Sequence, residues 1–147
     1  MKKHYYASES NCVKRLLEEY KKYGTLYVAF DFDNTIYDYH NKGIDCSSVI
    51  SLLQDCTKLG FEMILFTCEQ KVGKLREKEE FCKKNGIEVH WVNRSPILNF
   101  TTKPYYNILL DDRAGLRSAM QILERVIIHL KIEKNAKELE LNQTRGE

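Results

Sequence analysis

Hydrophobic positions alternate along the chain between a helical period and short uninterrupted runs. The first apolar residues recur at helical spacing and predict a helix that begins at Ser10 or Asn11 and ends near Gly24. Its apolar face consists of Val13, Leu16, Leu17 and Tyr20. Residues 26–30 form an apolar run without alternation, which is typical of a strand covered on both faces in a parallel sheet. Residues 34–46 are polar and turn-rich, and we expect an irregular excursion there.

A helical spacing of apolar residues is followed by an apolar run a second time. Ser47 or Ser48 begins a second predicted helix, which is closed by Gly60. Residues 61–66 then predict a second strand, and a charged helix over residues 70–85 follows it.

The last third of the chain predicts two more strands and a final helix. Residues 87–92 alternate partly and predict a third strand, and a loop over 93–104 leads to a fourth buried strand at 108–110. Apolar residues recur at helical spacing from Leu116 onward and predict the final helix. The tail after Lys134 is polar, and we expect it to be frayed.

This order of elements predicts an α/β fold, a Rossmann-like three-layer sandwich with a mostly parallel sheet. The length of 147 residues suits a single domain over residues 1–147. With 43% hydrophobic and 30% charged residues, the composition indicates a soluble globular protein rather than a disordered chain. The 23 basic and 21 acidic residues are interleaved, which favours solvated helix faces over a nucleic-acid surface.

Targeting and redox signals point to a cytoplasmic protein. Met1 is not followed by the apolar stretch of a signal peptide, and no apolar run approaches the roughly 18 residues that span a membrane. The five cysteines are odd in number and show no C-x-x-C spacing. That usage suits reduced thiols better than a disulfide framework or a zinc site. We therefore expect no membrane association.

Polar residues follow three of the predicted strands. Asp31 and Asp33 follow the first, Thr67 the second, and Asp111 and Asp112 the fourth. Because the carboxyl ends of parallel strands meet at one edge of a sheet, we expect these side chains to converge. At least three carboxylates would then repel one another unless a hard cation bound them, and Mg²⁺ prefers such oxygen ligands. The sequence therefore predicts a magnesium site at this edge.

Taken together, these segments resemble the haloacid dehalogenase superfamily over nearly the whole chain. Residues 28–35 carry the first motif of that family, an apolar strand followed by D-x-D-x-T. Residues 64–67 resemble the second motif, a strand that ends in Thr, and Lys103 matches the lysine of the third. Residues 108–112 resemble the fourth, an apolar strand that ends in an acidic pair.

The resemblance implies a role for each of these residues. Asp31 would attack phosphorus and form an aspartyl-phosphate, and Asp33 would act as the general acid and base. Thr67 would hydrogen-bond a phosphate oxygen, and Lys103 would offset the charge on the phosphoryl group. An Asp at position 33 favours a phosphatase over a dehalogenase or an ion-pumping ATPase. The implied metal ligands are Asp31, Asp33 through its backbone carbonyl, Asp112 and, in support, Asp111.

The resemblance is to a member without a cap domain, because residues 34–46 are too short for a helical cap and residues 68–103 are taken up by one helix, one strand and a loop. Such members often act on large substrates, such as nucleic-acid ends or proteins, and some act on small molecules. The Asp-Asp-Arg sequence at 111–113 resembles the 5'(3')-deoxyribonucleotidases, and the motif order also occurs in polynucleotide 3'-phosphatases. The expected substrate is therefore a nucleotide, a nucleic-acid end or another phosphoester, cleaved with Mg²⁺ as cofactor.

Several alternatives stay open from the sequence. The chain could be a non-catalytic protein of this fold that binds a phosphorylated partner, or it could transfer phosphate to an acceptor other than water. Lys103 could be an ordinary surface lysine, and Thr67 an ordinary hydroxyl at a strand end. The aromatic side chains of the excursion could stack on a base or cover the sheet edge; these are Tyr37, Tyr39 and His40.

Overall fold

The computed structural model describes residues 1–146, and four parallel strands form one sheet within them. The strands are β1 (Tyr27–Asp31), β2 (Glu62–Phe66), β3 (Trp91–Val92) and β4 (Ile108–Leu110). Their order across the sheet is β3-β2-β1-β4, and every pair of neighbours is parallel. The sheet is thus entirely parallel, where the sequence predicted a mostly parallel one.

Helices flank this sheet, which confirms the prediction of a Rossmann-like three-layer α/β sandwich. They are α1 (Glu9–Tyr23), α2 (Ser47–Lys58), α3 (Val72–Lys84) and α4 (Leu116–Arg145), after a short 3₁₀ turn at Tyr5–Ala7. Helix α1 ends where predicted: Gly24 has a φ of 77° and donates its N–H to the carbonyl of Tyr20 at 2.7 Å. Glycine adopts this left-handed conformation without steric cost, so the chain turns directly into β1.

The core lies against alternate positions of the strands. In the register of the sheet, Val28 pairs with Met63 and Ile108, and Phe30 pairs with Leu65 and Leu110. All of these side chains are buried and belong to the main hydrophobic cluster. Because burying one such side chain contributes about 1.5–3 kcal/mol, this packing holds the strand ends that carry the polar residues in fixed register.

Two predicted elements differ from those observed. The third strand was predicted over residues 87–92, but only Trp91–Val92 forms a ladder. Before it, Ile87 donates its N–H back to Cys82 at the end of α3, and His90 Nδ1 accepts the N–H of Met63. The His90 side chain thus accepts an N–H that a backbone carbonyl would accept in a regular ladder, and β3 begins only at Trp91.

The frayed tail predicted after Lys134 is wrong, because α4 continues to Arg145. Residues 135–145 are exposed, so intrinsic propensity rather than burial accounts for the helix. Ala136, Leu139 and Leu141, among Lys and Glu residues, are strong helix formers.

No cap is inserted between β1 and α2. Residues 32–46 form turns, with an isolated bridge between Asp33 and Tyr37. All five cysteines are free thiols. None of the helices within residues 1–146 has both the length and the apolar character needed to cross a membrane.

Candidate active site

The predicted site residues other than Lys103 lie at or just after the carboxyl ends of three adjacent strands. Strand β1 lies between β2 and β4, so both neighbours end beside Asp31. Asp31 pairs with Phe66, which places Thr67 one residue further along β2. Phe30 pairs with Leu110, so Asp111 follows β4 at the level of Asp31. The parallel register therefore brings together residues that are up to 80 positions apart in sequence.

Three carboxylates form what we call the acidic cluster: Asp31, Asp111 and Asp112. Each offers an oxygen within 4.8 Å of the others. At that separation two unit charges repel by about 3 kcal/mol in a medium of effective dielectric constant about 20. The cluster is therefore costly as three bare anions, and its oxygen donors fit a hard divalent cation.

The electrostatics of Asp31 reflect this crowding. Burial, above all, and then the charge of Asp111 and the hydrogen bond with Asp112 raise the pKa of Asp31 to about 6. Hydrogen bonds from the Thr35 hydroxyl and the backbone N–H of Phe32 oppose this rise without cancelling it. An aspartate that is poorly stabilised as an anion is a group that gains from a nearby cation.

A buried hydroxyl ties the two acidic strand ends together. Thr35 is 1% exposed, donates to Asp31 Oδ2 at 3.1 Å and accepts the backbone N–H of Asp112 at 3.1 Å. A tight turn after β1 returns Thr35 to this position. Within it Asn34 has a φ of 61° and donates its N–H to Tyr37 O at 2.7 Å. The Thr of the D-x-D-x-T segment thus positions the carboxylates of β1 and β4.

The Asp33 carboxylate lies apart from the acidic cluster and contacts a lysine of α3. Lys78 Nζ is 2.9 Å from Asp33 Oδ2 and 3.0 Å from Thr67 Oγ1, and the Lys78 side chain is only 13% exposed. The same ammonium lies 4.8 Å from the centre of the Phe32 ring, which favours a cation at this place. The predicted acid/base residue and the predicted phosphate-binding threonine therefore share one partly buried cation.

Thr67 is held so that its hydroxyl proton is available. Its oxygen accepts from Lys78 and from the N–H of Glu69 at 3.2 Å, which leaves the O–H to donate. The Asn93 side chain fixes the backbone of Thr67 from both sides: Oδ1 accepts the Thr67 N–H at 2.8 Å, and Nδ2 donates to the Thr67 carbonyl at 2.7 Å. Both features suit a hydroxyl that donates to a phosphate oxygen.

Lys103 is not part of this arrangement. It lies in an exposed loop, and its ammonium makes no hydrogen bond or ion pair with any residue that the structure describes. Lys103 instead lines a separate cavity together with Arg15 and Tyr105. The structure thus brings together Asp31, Asp111 and Asp112, and separately Asp33 and Thr67, but not Lys103.

Lys78 was not predicted as a site residue, although the helical register of α3 carries a signal for it. Leu75, Lys78 and Cys82 are spaced i, i+3 and i+7, which places them on one face of α3. Leu75 is partly buried and Cys82 fully buried. Lys78 is therefore a charged residue on the apolar stripe of its helix, where a partner is needed to offset the cost of burial.

An open cleft of about 660 Å³ adjoins Asp33. Its walls come from the turn after β1 and from α3, and they combine aromatic with charged side chains. Cys68, directly after Thr67, is exposed and also lines it. The cleft gives the Asp33 and Lys78 pair direct access to solvent.

Comparison with known proteins supports the fold. No protein-family model matches the chain, and no curated protein is significantly similar to it. One similar solved structure is that of the conserved protein coded by a locus from Bacteroides thetaiotaomicron, with a TM-score of 0.53 and 24% sequence identity. The match covers 62% of this chain and 78% of that chain. At this level of identity, the likeness is one of α/β architecture.

Proposed function

We propose that the protein is a magnesium-dependent phosphomonoester hydrolase that works through an aspartyl-phosphate on Asp31. One observation carries the proposal: Asp31, at the end of β1, belongs to a cluster of three carboxylates that fits a cation, and Asp33, two residues further along the chain, pairs with the partly buried Lys78. The division of roles, Asp31 as nucleophile and Asp33 as acid and base, is the one that the family resemblance implies, and a cation bound by the cluster would favour the ionised, nucleophilic form of Asp31.

The acidic cluster supplies the metal ligands in this proposal. Asp31, Asp112 and Asp111 would hold Mg²⁺ through carboxylate oxygens, and the backbone carbonyl of Asp33 is the further ligand implied by the family resemblance. The ion, when bound, would offset the cluster's negative charge and bind a phosphate oxygen. The three protein oxygens fit this ion in type, because Mg²⁺ prefers carboxylate oxygens.

Asp31 and Asp33 would divide the chemistry. An Asp31 oxygen bonds to phosphorus while the bond from phosphorus to the ester oxygen breaks, and protonated Asp33 gives its proton to that leaving oxygen. Water then attacks phosphorus, Asp33 takes a proton from it, and the bond between Asp31 and phosphorus breaks. Lys78, at 2.9 Å, stabilises the Asp33 carboxylate in the interval between the two proton transfers.

Lys78 and Thr67 would also bind the transferring group. The Thr67 hydroxyl has its proton free to donate, and Lys78 brings a positive charge within 3.0 Å of that hydroxyl. Negative charge on the phosphoryl oxygens is thereby met by donors already in place, which is the arrangement that lowers a barrier most effectively. In this proposal Lys78 takes the role that the sequence assigned to Lys103.

The test measures phosphate release from 4-nitrophenyl phosphate by metal-stripped protein, with Mg²⁺ or with EDTA added. We expect turnover only with Mg²⁺ and a loss of about 10³-fold or more in Asp31→Asn. Asp55→Asn is the matched control, because Asp55 pairs with Lys58 and Lys131 far from the cluster. Acid-quenched protein should carry label from a ³²P-labelled phosphomonoester, and Asp31→Asn should not.

Two results would contradict this function. One is folded protein that releases no phosphate from nucleotides, 3'- or 5'-phosphorylated oligonucleotides, sugar phosphates or phosphopeptides in Mg²⁺. The other is an Asp31→Asn protein with the wild-type rate. Binding of a phosphorylated ligand without turnover would instead support the non-catalytic alternative.

A further inference from the structure

We propose that the cleft beside Asp33 receives an uncharged aromatic leaving group, as in a nucleoside monophosphate or an aryl phosphate, rather than a nucleic-acid strand. The inference rests on the proposed function and specifies its substrate class. It follows from three features of the cleft: a fixed aromatic wall, its position relative to Asp33, and its charge.

The aromatic wall is formed by three rings in mutual contact. The Tyr37 ring stacks on Phe32 with 5.6 Å between centroids and 29° between planes, and Phe81 meets both rings edge-on at 5.3 and 5.6 Å. Phe32 is buried, whereas Tyr37 is 45% exposed and lines the cleft. Tyr37 is therefore the outer ring of a packed cluster, available for another flat group.

Tyr37 is also fixed by its backbone. Its N–H donates to Phe32 O at 3.2 Å, and its carbonyl accepts the N–H of Asn34 at 2.7 Å. A ring held in this way loses little conformational freedom when a ligand stacks on it, so more of the stacking energy appears as affinity. Tyr39, 61% exposed on the same cleft, offers a second and more exposed ring.

The aromatic wall lies beside the position that the leaving group of the proposed reaction would occupy. Asp33 and Tyr37 form a backbone bridge, and both line the cleft. In the proposed reaction Asp33 protonates the leaving oxygen, so the group attached to that oxygen must begin within hydrogen-bonding distance of the Asp33 carboxylate. The ring of Tyr37 lines the same cleft and is 45% exposed, so it offers such a group a flat surface.

The charges of the cleft disfavour further phosphates. Its lining includes three carboxylates and two lysines, and each lysine already has a carboxylate partner at 2.9 Å. These pairs are Lys78 with Asp33 and Lys74 with Glu77, which leaves Glu69 as the excess charge. A nucleic-acid strand needs cations for successive phosphates, and none of the lining residues offers a free one. A neutral ring meets no such obstacle.

The first test compares benzyl phosphate with cyclohexylmethyl phosphate, which differ in aromaticity but share size and a primary alkoxide leaving group. We expect kcat/KM to favour benzyl phosphate by about 3- to 10-fold in the wild type. Tyr37→Phe should keep this preference and Tyr37→Leu should lose it. Tyr23→Leu is the control, since Tyr23 is also an exposed tyrosine but lies at the end of α1 and does not line the cleft.

The second test compares a nucleoside 5'-monophosphate with a 5'-phosphorylated oligonucleotide of the same terminal base. We expect the mononucleotide to have the higher kcat/KM. A higher value for the oligonucleotide, falling steeply with salt, would overturn the proposal because it would require cationic contacts to the strand.

A binding experiment separates this inference from the proposed function. Unphosphorylated adenosine is titrated into the protein while the backbone amide signals of Tyr37 and Phe81 are followed by NMR. Shifts that Tyr37→Leu abolishes support an aromatic site even if no phosphoester is hydrolysed. If phosphoesters are hydrolysed but benzyl and cyclohexylmethyl phosphates react equally, the function stands and the aromatic site is refuted; absence of the adenosine-induced shifts also refutes it.

Discussion

Replacing Asp31 by asparagine separates the energetic cost of the acidic cluster from its catalytic use. Asparagine keeps the shape and an oxygen that accepts from Thr35, but it removes one of three charges within 4.8 Å. In the metal-free protein we therefore expect Asp31→Asn to be more stable than the wild type at neutral pH, even though it should be inactive.

The expected gain in stability of Asp31→Asn follows from the pKa of Asp31 in the wild type. The pKa of Asp31 is raised from 3.8 to about 6, which corresponds to about 3 kcal/mol at about 1.4 kcal/mol per pH unit. Solvent screening of this partly exposed carboxyl reduces the figure to the order of 1–2 kcal/mol. Between about pH 4 and 6 the folded state binds the proton more tightly than the unfolded state, so wild-type stability falls as pH rises through that window.

The assay is urea unfolding in EDTA at about pH 4, 5, 6 and 7. The stability difference between Asp31→Asn and wild type should grow through this range and level off near neutral pH. In thermal unfolding at neutral pH, the Tm of Asp31→Asn should be higher than that of the wild type by roughly 3–6 °C. Added Mg²⁺ should stabilise the wild type more than the variant, because binding to the folded state alone raises stability by mass action. Asp55→Asn, which removes surface ion pairs, should show no such growth.

Two outcomes would refute this account of the cluster. One is an Asp31→Asn protein less stable than the wild type at neutral pH in EDTA. The other is a difference that stays constant from about pH 4 to 7, since repulsion and burial act only on the ionised carboxylate.

Three further predictions concern positioning groups and the tail. Lys78→Met should lower kcat/KM by about 10²–10³-fold, whereas Lys103→Met should stay within about threefold of the wild type. Phosphate release at saturating Mg²⁺ measures both, and equal losses would reject the role of Lys78 in binding the phosphoryl group. Thr35→Val should lower the unfolding free energy by about 1–3 kcal/mol and weaken Mg²⁺ binding by calorimetry, because Asp112 N–H loses its acceptor, whereas Thr35→Ser should restore most of both. Deleting residues 135–147 should change stability by less than about 0.5 kcal/mol in urea unfolding, and a larger loss would reveal contacts made by this exposed end of α4.

The sequence predicts the layout of the sheet well because its strands are continuous apolar runs. The apolar runs at 26–30 and 108–110 predict β1 and β4 to within one residue, and the aspartates that follow the two runs, Asp31 and Asp111, meet as the parallel topology requires. The third strand could not be placed to the residue, since His90 substitutes its side chain for a ladder bond, and a period-2 pattern does not carry that information.

A comparison of motifs could not identify Lys78 as the lysine that contacts Asp33 and Thr67. Lys103 precedes β4 in the order that the family resemblance suggests, but order along the chain does not fix position in space. Lys78 lies among charged residues on α3, and only the helical register distinguishes its buried face from its neighbours. The acidic cluster was predictable because the ends of two neighbouring strands, β1 and β4, fix it. Lys78, the partner of Asp33, comes instead from a helix whose rotation the sequence leaves open.

The turn-rich segment over residues 32–46 has a consequence for the timing of catalysis. Enzymes with lids often turn over no faster than the lid opens, on a scale of microseconds to milliseconds. Neither a helix nor an extended strand is inserted between β1 and α2 in residues 1–146, so in the proposed reaction this segment supplies no helical or stranded lid over the cleft. Product would depart by plain diffusion, and the bond-breaking steps at Asp31 would set the turnover number.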